Sequence, residues 1–498
     1  MEKIPVDNFN KAMLIAYPNR LGQNINDLHS IMNNSFKNAF GKVHLLPFYN
    51  SSGDGGFAPI NYEIDKKFGE WSDVERLADQ YDLMVDFMIN HLSPDSTEFK
   101  DLLENGKKSK YNGLFLSYST FWPKGRPTRN DIKMIYKRKN NAPFREFKFA
   151  DKHKEKFWNT FGDMQIDLDI RNSVTEKFIR KQIKDLMHHG AKIIRLDAVG
   201  YVVKKIDTTD FFVEPEIWKV LDKTNQIVKE HHGEVLPEVH EKDIYKQKLQ
   251  AKNYYTYDFM LPFLLLYTMY TKNTSKLANW LTNSPMKQYT VLDTHDGIGV
   301  ADVKGILTDE EISKVLKHLY NHGKNVKPEY SSALYHNLDI YQINTTYYSA
   351  LGENDAAYLL ARVVQLFAPG IPQIYYVGLL AGKNDIKYLE ESKEGRNINR
   401  HFYSVEEVLE SVKTPVVKNV LNLLRYRNTS RAFELNGKIT ISMPSKGQLE
   451  ITRSSNDNKV NATLIANFKS QNFRIIETSA NFSQTVFDSY NNRVNKNG

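Results

Sequence analysis

Residues 191–198 read AKIIRLDA: Ala191, Lys192, Ile193, Ile194, Arg195, Leu196, Asp197, Ala198. The run is too short for a helix of ordinary length. Its β-branched and aliphatic core predicts a strand buried on both faces, as parallel sheets require. It ends on two opposite charges, Arg195 and Asp197. Ahead of it, Val174, Phe178, Ile179, Ile183, Leu186 and Met187 recur at helical spacing, which predicts a helix from Ser173 to His189. Ser173 and Glu176 read as a capping box, and Gly190 suits the C-terminal cap. A helix feeding directly into a doubly buried strand is the repeating unit of an α/β protein.

The same rhythm extends in both directions. Predicted strands are AMLIAY (Ala12 to Tyr17), KVHLLPF (Lys42 to Phe48), LMVDFMIN (Leu83 to Asn90), EVLPEVH (Glu234 to His240), YYTYDFM (Tyr254 to Met260), YTVLDT (Tyr289 to Thr294) and PQIYYVG (Pro372 to Gly378). Leu359 to Phe367 predicts another helix, stopped by Ala368, Pro369 and Gly370. With AKIIRLDA this makes eight strand-and-helix units, the pattern of a (β/α)8 TIM barrel. Two intervals break the rhythm, 89–170 after the third strand and 298–352 between the seventh and eighth. Both are too long for simple loops. The expected organisation is a catalytic barrel from 1–88, 171–297 and 353–432, with inserted domains at 89–170 (domain B) and 298–352 (domain B′). After residue 433, KITISM, QLEITR, ATLIANF and FRIIET alternate with period two, which predicts an antiparallel β domain over 433–498.

The length of 498 residues accommodates a barrel of roughly 250 residues plus these additions. The net charge of +8 and pI near 9.0 are a mild excess that would suit a small anion such as phosphate. No nucleic-acid-binding motif occurs. With no cysteine, disulfides and thiolate chemistry are excluded. The N-terminal MEKIPVDNFNK lacks an apolar signal core, and FMLPFLLLYTMY is interrupted by Pro262 and too short to span a bilayer. The expectation is a cytoplasmic protein with no membrane partner. No heptad or interface patch decides between monomer and homodimer.

Four polar clusters fall at the C-terminal ends of predicted strands, where barrels keep their active sites. They are Asn90 and His91, Arg195 and Asp197, Glu238 and His240, and His295 and Asp296. Retaining glycosyl transfer needs two carboxyl groups about 5–5.5 Å apart, one nucleophilic and one protonated. Neighbouring fourth and fifth strands could supply Asp197 and Glu238. Arg195 shares a strand face with Asp197 and would favour its ionised form. The plainer reading is that Arg195 and Asp197 form only an ion pair in the barrel core. A metal-dependent hydrolase would want a His-x-His pair on the first strand, which AMLIAY lacks, so neither a metal nor another cofactor is expected.

GGFAPINY, MINH, IIRLDAVGY, LPEVH and VLDTHDGIG together resemble the conserved segments of the α-amylase superfamily of glycoside hydrolases. NLDIYQINTTYYSALG, PGIPQIYYVGLLAGKND, EGRNINRH, IYKRK and DTTDFFVEPEIW are similar to the branch of that superfamily that phosphorolyses sucrose. The likeness runs from Lys11 to Phe433. It implies Asp197 as nucleophile, Glu238 as acid/base and Asp296 as a carboxylate that binds sugar hydroxyls in the transition state. It further implies that His91 and His295 donate to the glucosyl ring and that Asp54 and Arg400 hold its far hydroxyls. Phe57 and Phe161 would form apolar walls, with Tyr201 and Arg195 beside the nucleophile and His240 near the acid/base. The acceptor side would draw on Asp339, Tyr341 and Gln342, with Lys137, Arg138 and Lys139 as candidates for phosphate. AYPNRLG and EVHEKD depart from the usual pattern, and Lys242 and Asp243 could alter the acceptor rim.

The expected reaction is sucrose plus inorganic phosphate giving α-glucose 1-phosphate plus fructose through a covalent glucosyl-enzyme. Rival readings are phosphorolysis of sucrose 6′-phosphate, for which Arg138 and His336 are candidate cations, and hydrolysis or transglucosylation of sucrose or α-glucans. A non-catalytic sugar-binding barrel would be expected to lose a catalytic carboxylate, and none is lost.

Overall fold

All eight predicted strands are present in the computed structural model, which describes residues 10–139, 141–336, 342–490 and 493–494. They are Met13–Ala16, Lys42–Leu45, Asp82–Met88, Ala191–Asp197, Glu234–Pro237, Thr256–Asp258, Gln288–Thr290 and Ile371–Tyr375. They form one eight-stranded sheet ordered fifth, fourth, third, second, first, eighth, seventh, sixth. This is the strand order of a nearly closed (β/α)8 barrel. The first and third strands are buried at every residue, which explains their nearly unbroken apolar sequences. By contacts the chain groups into two units, one of residues 24–26 and 44–239, the other of residues up to 23, 27–43 and from 240 onward.

In the unit of 44–239, the fourth strand lies parallel between the third and the fifth. Arg195 is in register with Asp86 on one side and Leu236 on the other. The helix before it spans Ser173–His188. Its N-cap is Asn172, whose side chain accepts from the Val174 backbone N–H at 3.0 Å. The capping box expected from Ser173 and Glu176 is therefore absent: Ser173 is already the first helical residue, and the amide oxygen ahead of it satisfies the orphan donor. Gly190 takes φ 93°, the left-handed conformation expected just past a helix end.

Between the third and fourth strands the chain forms a short helix, Thr97–Asn105, and two antiparallel ribbons. One pairs His91–Leu92 with Ile166–Asp167, the other Phe144–Lys148 with Lys154–Trp158. Leu116, Phe121, Trp122, Ile135 and Trp158 make a buried cluster of their own. The aromatics of this interval are thus largely core.

In the other unit the first and eighth strands pair in parallel, Met13 opposite Gln373, and the seventh pairs with both the eighth and the sixth. The helix read from Leu359 begins earlier, at Asp355, capped by Asn354. Its Arg362 reaches Asp293, just past the seventh strand, with Nη2 2.7 Å from Oδ1 and 2.8 Å from Oδ2; both side chains are buried. The apolar run near residue 265 is the helix Leu261–Thr271. Among the described residues no helix is long and apolar enough to cross a membrane. Helix Asp309–His322 carries a true capping box, Thr308 with Glu311. The C-terminal sheet has six antiparallel strands in sequential order. Four were read from alternation. The fifth, Phe482–Asp488, is largely exposed along its first half, so its sequence carries little alternation to read.

Removing one partner of a buried ion pair leaves the other charge unpaired, at a cost of about 3–5 kcal/mol. Asp293→Ala is expected to lower stability by that amount in urea unfolding. Arg362→Met with Asp293→Ala should recover part of it.

Candidate active site

The fourth strand delivers Arg195, and its guanidinium binds three carboxylates. Nη1 donates to Asp86 and to Asp197 Oδ1, the latter at 3.1 Å, while Nη2 lies 3.4 Å from Glu238 Oε1. The Arg195 side chain is 3% exposed and Asp86 is fully buried. Asp86 is held from behind by His44 Nε2 at 2.8 Å and by the Tyr49 hydroxyl, which donates to its carbonyl at 3.0 Å. Asp197 and Glu238 are less enclosed, at 14% and 11%. The two carboxyl groups of the predicted pair thus share one cation.

Directly after Asp197 the chain turns. Ala198 has φ 52°, a left-handed conformation that costs a non-glycine residue roughly 1–2 kcal/mol. The Ala198 N–H donates to Glu238 Oε2 at 2.9 Å. A short 3-10 segment, Val199–Tyr201, follows.

Residues expected around the sugar gather in the same unit. His91 Nε2 lies 2.8 Å from the Phe57 carbonyl, and Nδ1 is 3.4 Å from Asn90 Nδ2. Burial holds this imidazole below its usual pKa, which fits a neutral ring donating from Nε2. The donor expected to serve the glucosyl ring is therefore engaged by the Phe57 carbonyl. Phe161 meets His91 and Tyr201 edge to face, with centroids 5.7 and 5.1 Å away. The Phe57 ring lies 5.9 Å from the Arg195 guanidinium carbon. Asp54 accepts from Gln165 Nε2 at 3.3 Å, in a segment where Asp54, Gly55 and Gly56 all have positive φ.

The basic triplet divides. Arg138 Nη1 donates to the Tyr201 hydroxyl at 3.0 Å. Lys139 donates to Asn159 Oδ1, and burial lowers its pKa. Lys137 is exposed. Of the three, Arg138 is tied to the turn that follows Asp197.

The remaining predicted residues belong to the other unit. His295 Nε2 and Asp296 Oδ2 are 3.5 Å apart. Asp296 Oδ1 is 3.1 Å from Arg396 Nη1, a cation that sequence reading did not anticipate. Arg400 is buried, and its Nε donates to the His295 carbonyl at 3.0 Å. His240 stacks on Phe259 at 3.6 Å and faces Asp302 Oδ2 at 3.3 Å. Gly299 makes room for that carboxylate, since a Cβ there would lie 1.9 Å from Asp302 Oδ2. Gln342 is buried in a two-residue strand opposite Gly299. Asp339 and Tyr341 lie outside the described residues. His336 pairs with Glu394 at 2.9 Å on the surface.

Asp86 and His44 were not singled out from sequence. An acid inside the apolar run LMVDFMIN was the available signal; its register with Arg195 comes from the fold. Arg396 carried none beyond its place in EGRNINRH.

Residues 39–411 match the alpha amylase catalytic-domain family. The chain is 53% identical over 475 residues to a sucrose phosphorylase of Streptococcus mutans, covering 95% of this chain and 99% of that one. It is 42% identical over 427 residues to a glucosylglycerol phosphorylase of Marinobacter adhaerens, covering 85% and 88%. The crystal structure of a sucrose 6F-phosphate phosphorylase from Thermoanaerobacter thermosaccharolyticum superimposes with TM-score 0.89 at 40% identity, covering 96% of this chain and 98% of that one. With a family match over most of its length and relatives this similar end to end, the chain belongs to the α-amylase family.

Proposed function

We propose that the chain is a retaining glucosyl transferase that phosphorolyses sucrose to α-glucose 1-phosphate and fructose. The observation that carries this reading is the single Arg195 guanidinium in contact with both Asp197 and Glu238. The 53% identity to a sucrose phosphorylase supports the choice of donor and acceptor.

In the first step an Asp197 oxygen attacks the anomeric carbon. The bond to the bridging oxygen breaks, and Glu238 passes its proton to the departing fructose. Asp197 thereby loses its negative charge as an ester while Glu238 gains one. The total charge facing Arg195 is unchanged, so the guanidinium stabilises both ends of the step without reorganising. In the second step a phosphate oxygen attacks the same carbon from the opposite face. The ester bond to Asp197 breaks and the phosphate proton returns to Glu238. Two inversions leave the α configuration. Asp296, with Arg396 and His295 beside it, is assigned to the sugar hydroxyls. Arg138, held at Tyr201, is assigned to phosphate.

The reading next in rank is phosphorolysis of sucrose 6′-phosphate, favoured by the 0.89 TM-score to an enzyme of that name. The acceptor side separates the two, and its Asp339 and Tyr341 lie outside the described residues.

Incubation with sucrose and phosphate should yield α-glucose 1-phosphate and fructose in equal amounts, with little free glucose. A phosphate-independent release of glucose would overturn the assignment in favour of a hydrolase. A higher kcat/KM on sucrose 6′-phosphate would favour the second reading. Glu238→Gln should slow sucrose turnover by about 10²–10⁴-fold, the usual span for loss of a general acid. Asp197→Asn should abolish it. Arg138→Ala should raise KM for phosphate roughly tenfold, the loss of one charge-assisted hydrogen bond, while KM for sucrose moves far less.

A further inference from the structure

The Lys204 ammonium sits in a cage of three oxygens. Nζ donates to Asn90 Oδ1 at 2.8 Å and to the Tyr201 carbonyl, and it lies 2.6 Å from Asp167 Oδ2. The side chain is 2% exposed and that of Asp167 is fully buried. Asp167 is itself fixed by Thr160, whose backbone N–H reaches Oδ1 at 3.1 Å and whose hydroxyl donates to Oδ2. Three acceptors match the three N–H bonds of an ammonium, which is how a buried lysine becomes tolerable.

Those acceptors come from three separate pieces of chain. Asn90 follows the third strand, Asp167 ends the interval inserted there, and Tyr201 closes the turn after the nucleophile. The same turn opens at left-handed Ala198, and the Tyr201 N–H donates back to the Ala198 carbonyl at 3.0 Å. Ala198 in turn presents its N–H to Glu238. An unbroken series of bonds therefore runs from Lys204 through the Tyr201 carbonyl and the turn to the acid/base carboxyl. The third acceptor that completes the Lys204 ammonium is thus the carbonyl that closes this turn.

We propose that Lys204 is a positioning residue for glucosyl transfer: it holds the turn of residues 198–201 and thereby aims the Glu238 carboxyl at the leaving oxygen. The proposal rests on the reading of Asp197 and Glu238 given above.

Sucrose needs its leaving group protonated, whereas α-glucosyl fluoride releases fluoride without a proton donor. The two donors therefore distinguish a misaimed acid from a damaged fold. Lys204→Met alone would strand a buried carboxylate, so the informative variant is Lys204→Met with Asp167→Asn, which removes both charges together. It is expected to lose about 10²-fold in kcat on sucrose, as for an impaired general acid, with sucrose KM and the rate on α-glucosyl fluoride within about threefold of the parent. A parent-like rate on sucrose would overturn the proposal. So would equal losses on both donors, with or without a lower melting temperature, because the residue would then support the fold and not the acid. A parent enzyme that makes no α-glucose 1-phosphate from either donor would refute the underlying glucosyl-transfer reading, whatever the variants do.

Discussion

The arrangement around Asp197 depends on the buried guanidinium of Arg195. Arg195 is almost fully enclosed, and a guanidinium in such a place is tolerable only if its donors are met by acceptors of matching charge. Asp86 meets part of that need from the neighbouring strand, locked by His44. Asp197 and Glu238 meet the rest. The ordering is physically sensible. The deepest acid, Asp86, anchors the arginine so that its remaining N–H groups face Asp197 and Glu238. A lysine could not replace it, since one ammonium lacks the planar fork that reaches carboxylates on two strands at once.

A second constraint is the backbone immediately beyond Asp197. Ala198 adopts a left-handed conformation, at a cost of roughly 1–2 kcal/mol, while its N–H donates to Glu238. Such a conformation persists only where surrounding bonds over-determine it. Here those bonds are the Tyr201 to Ala198 hydrogen bond and the buried Lys204 cage. In the other unit comparable care surrounds Asp296, with Arg396 on its carboxylate and Asn399 donating to its carbonyl at 3.2 Å.

The named relatives are all phosphorylases by name and differ in the glucoside named: sucrose, glucosylglycerol and a sucrose 6F-phosphate. A common glucosyl-transfer apparatus with a variable acceptor side follows from the chemistry. The covalent step concerns only the anomeric carbon and two carboxylates, whereas discrimination between acceptors falls to loops. In this chain Arg195, Asp197 and Glu238 stand on strands or just past their ends, whereas Arg138 and Gln342 stand in the inserted intervals.

The barrel was legible because its information is local. Apolar runs such as AKIIRLDA and LMVDFMIN are buried on both faces whatever their partners, so each strand announces itself, and the carboxylates at their ends fall where barrels keep their chemistry. Sequence alone therefore determined eight strands, the C-terminal alternation and the pairing of Asp197 with Glu238 as candidates. It did not determine which groups would satisfy them. That Asp86 anchors Arg195, that Arg396 meets the Asp296 carboxylate, that Asn172 caps the helix expected to start with Ser173, and that Arg138 alone of its triplet reaches Tyr201 all depend on register and side-chain reach. These are properties of residues distant in the chain or competing for one donor. Only the folded arrangement decides them, because hydrogen-bond and ion-pair energies fall off within a few ångströms and sequence spacing does not fix distances that fine.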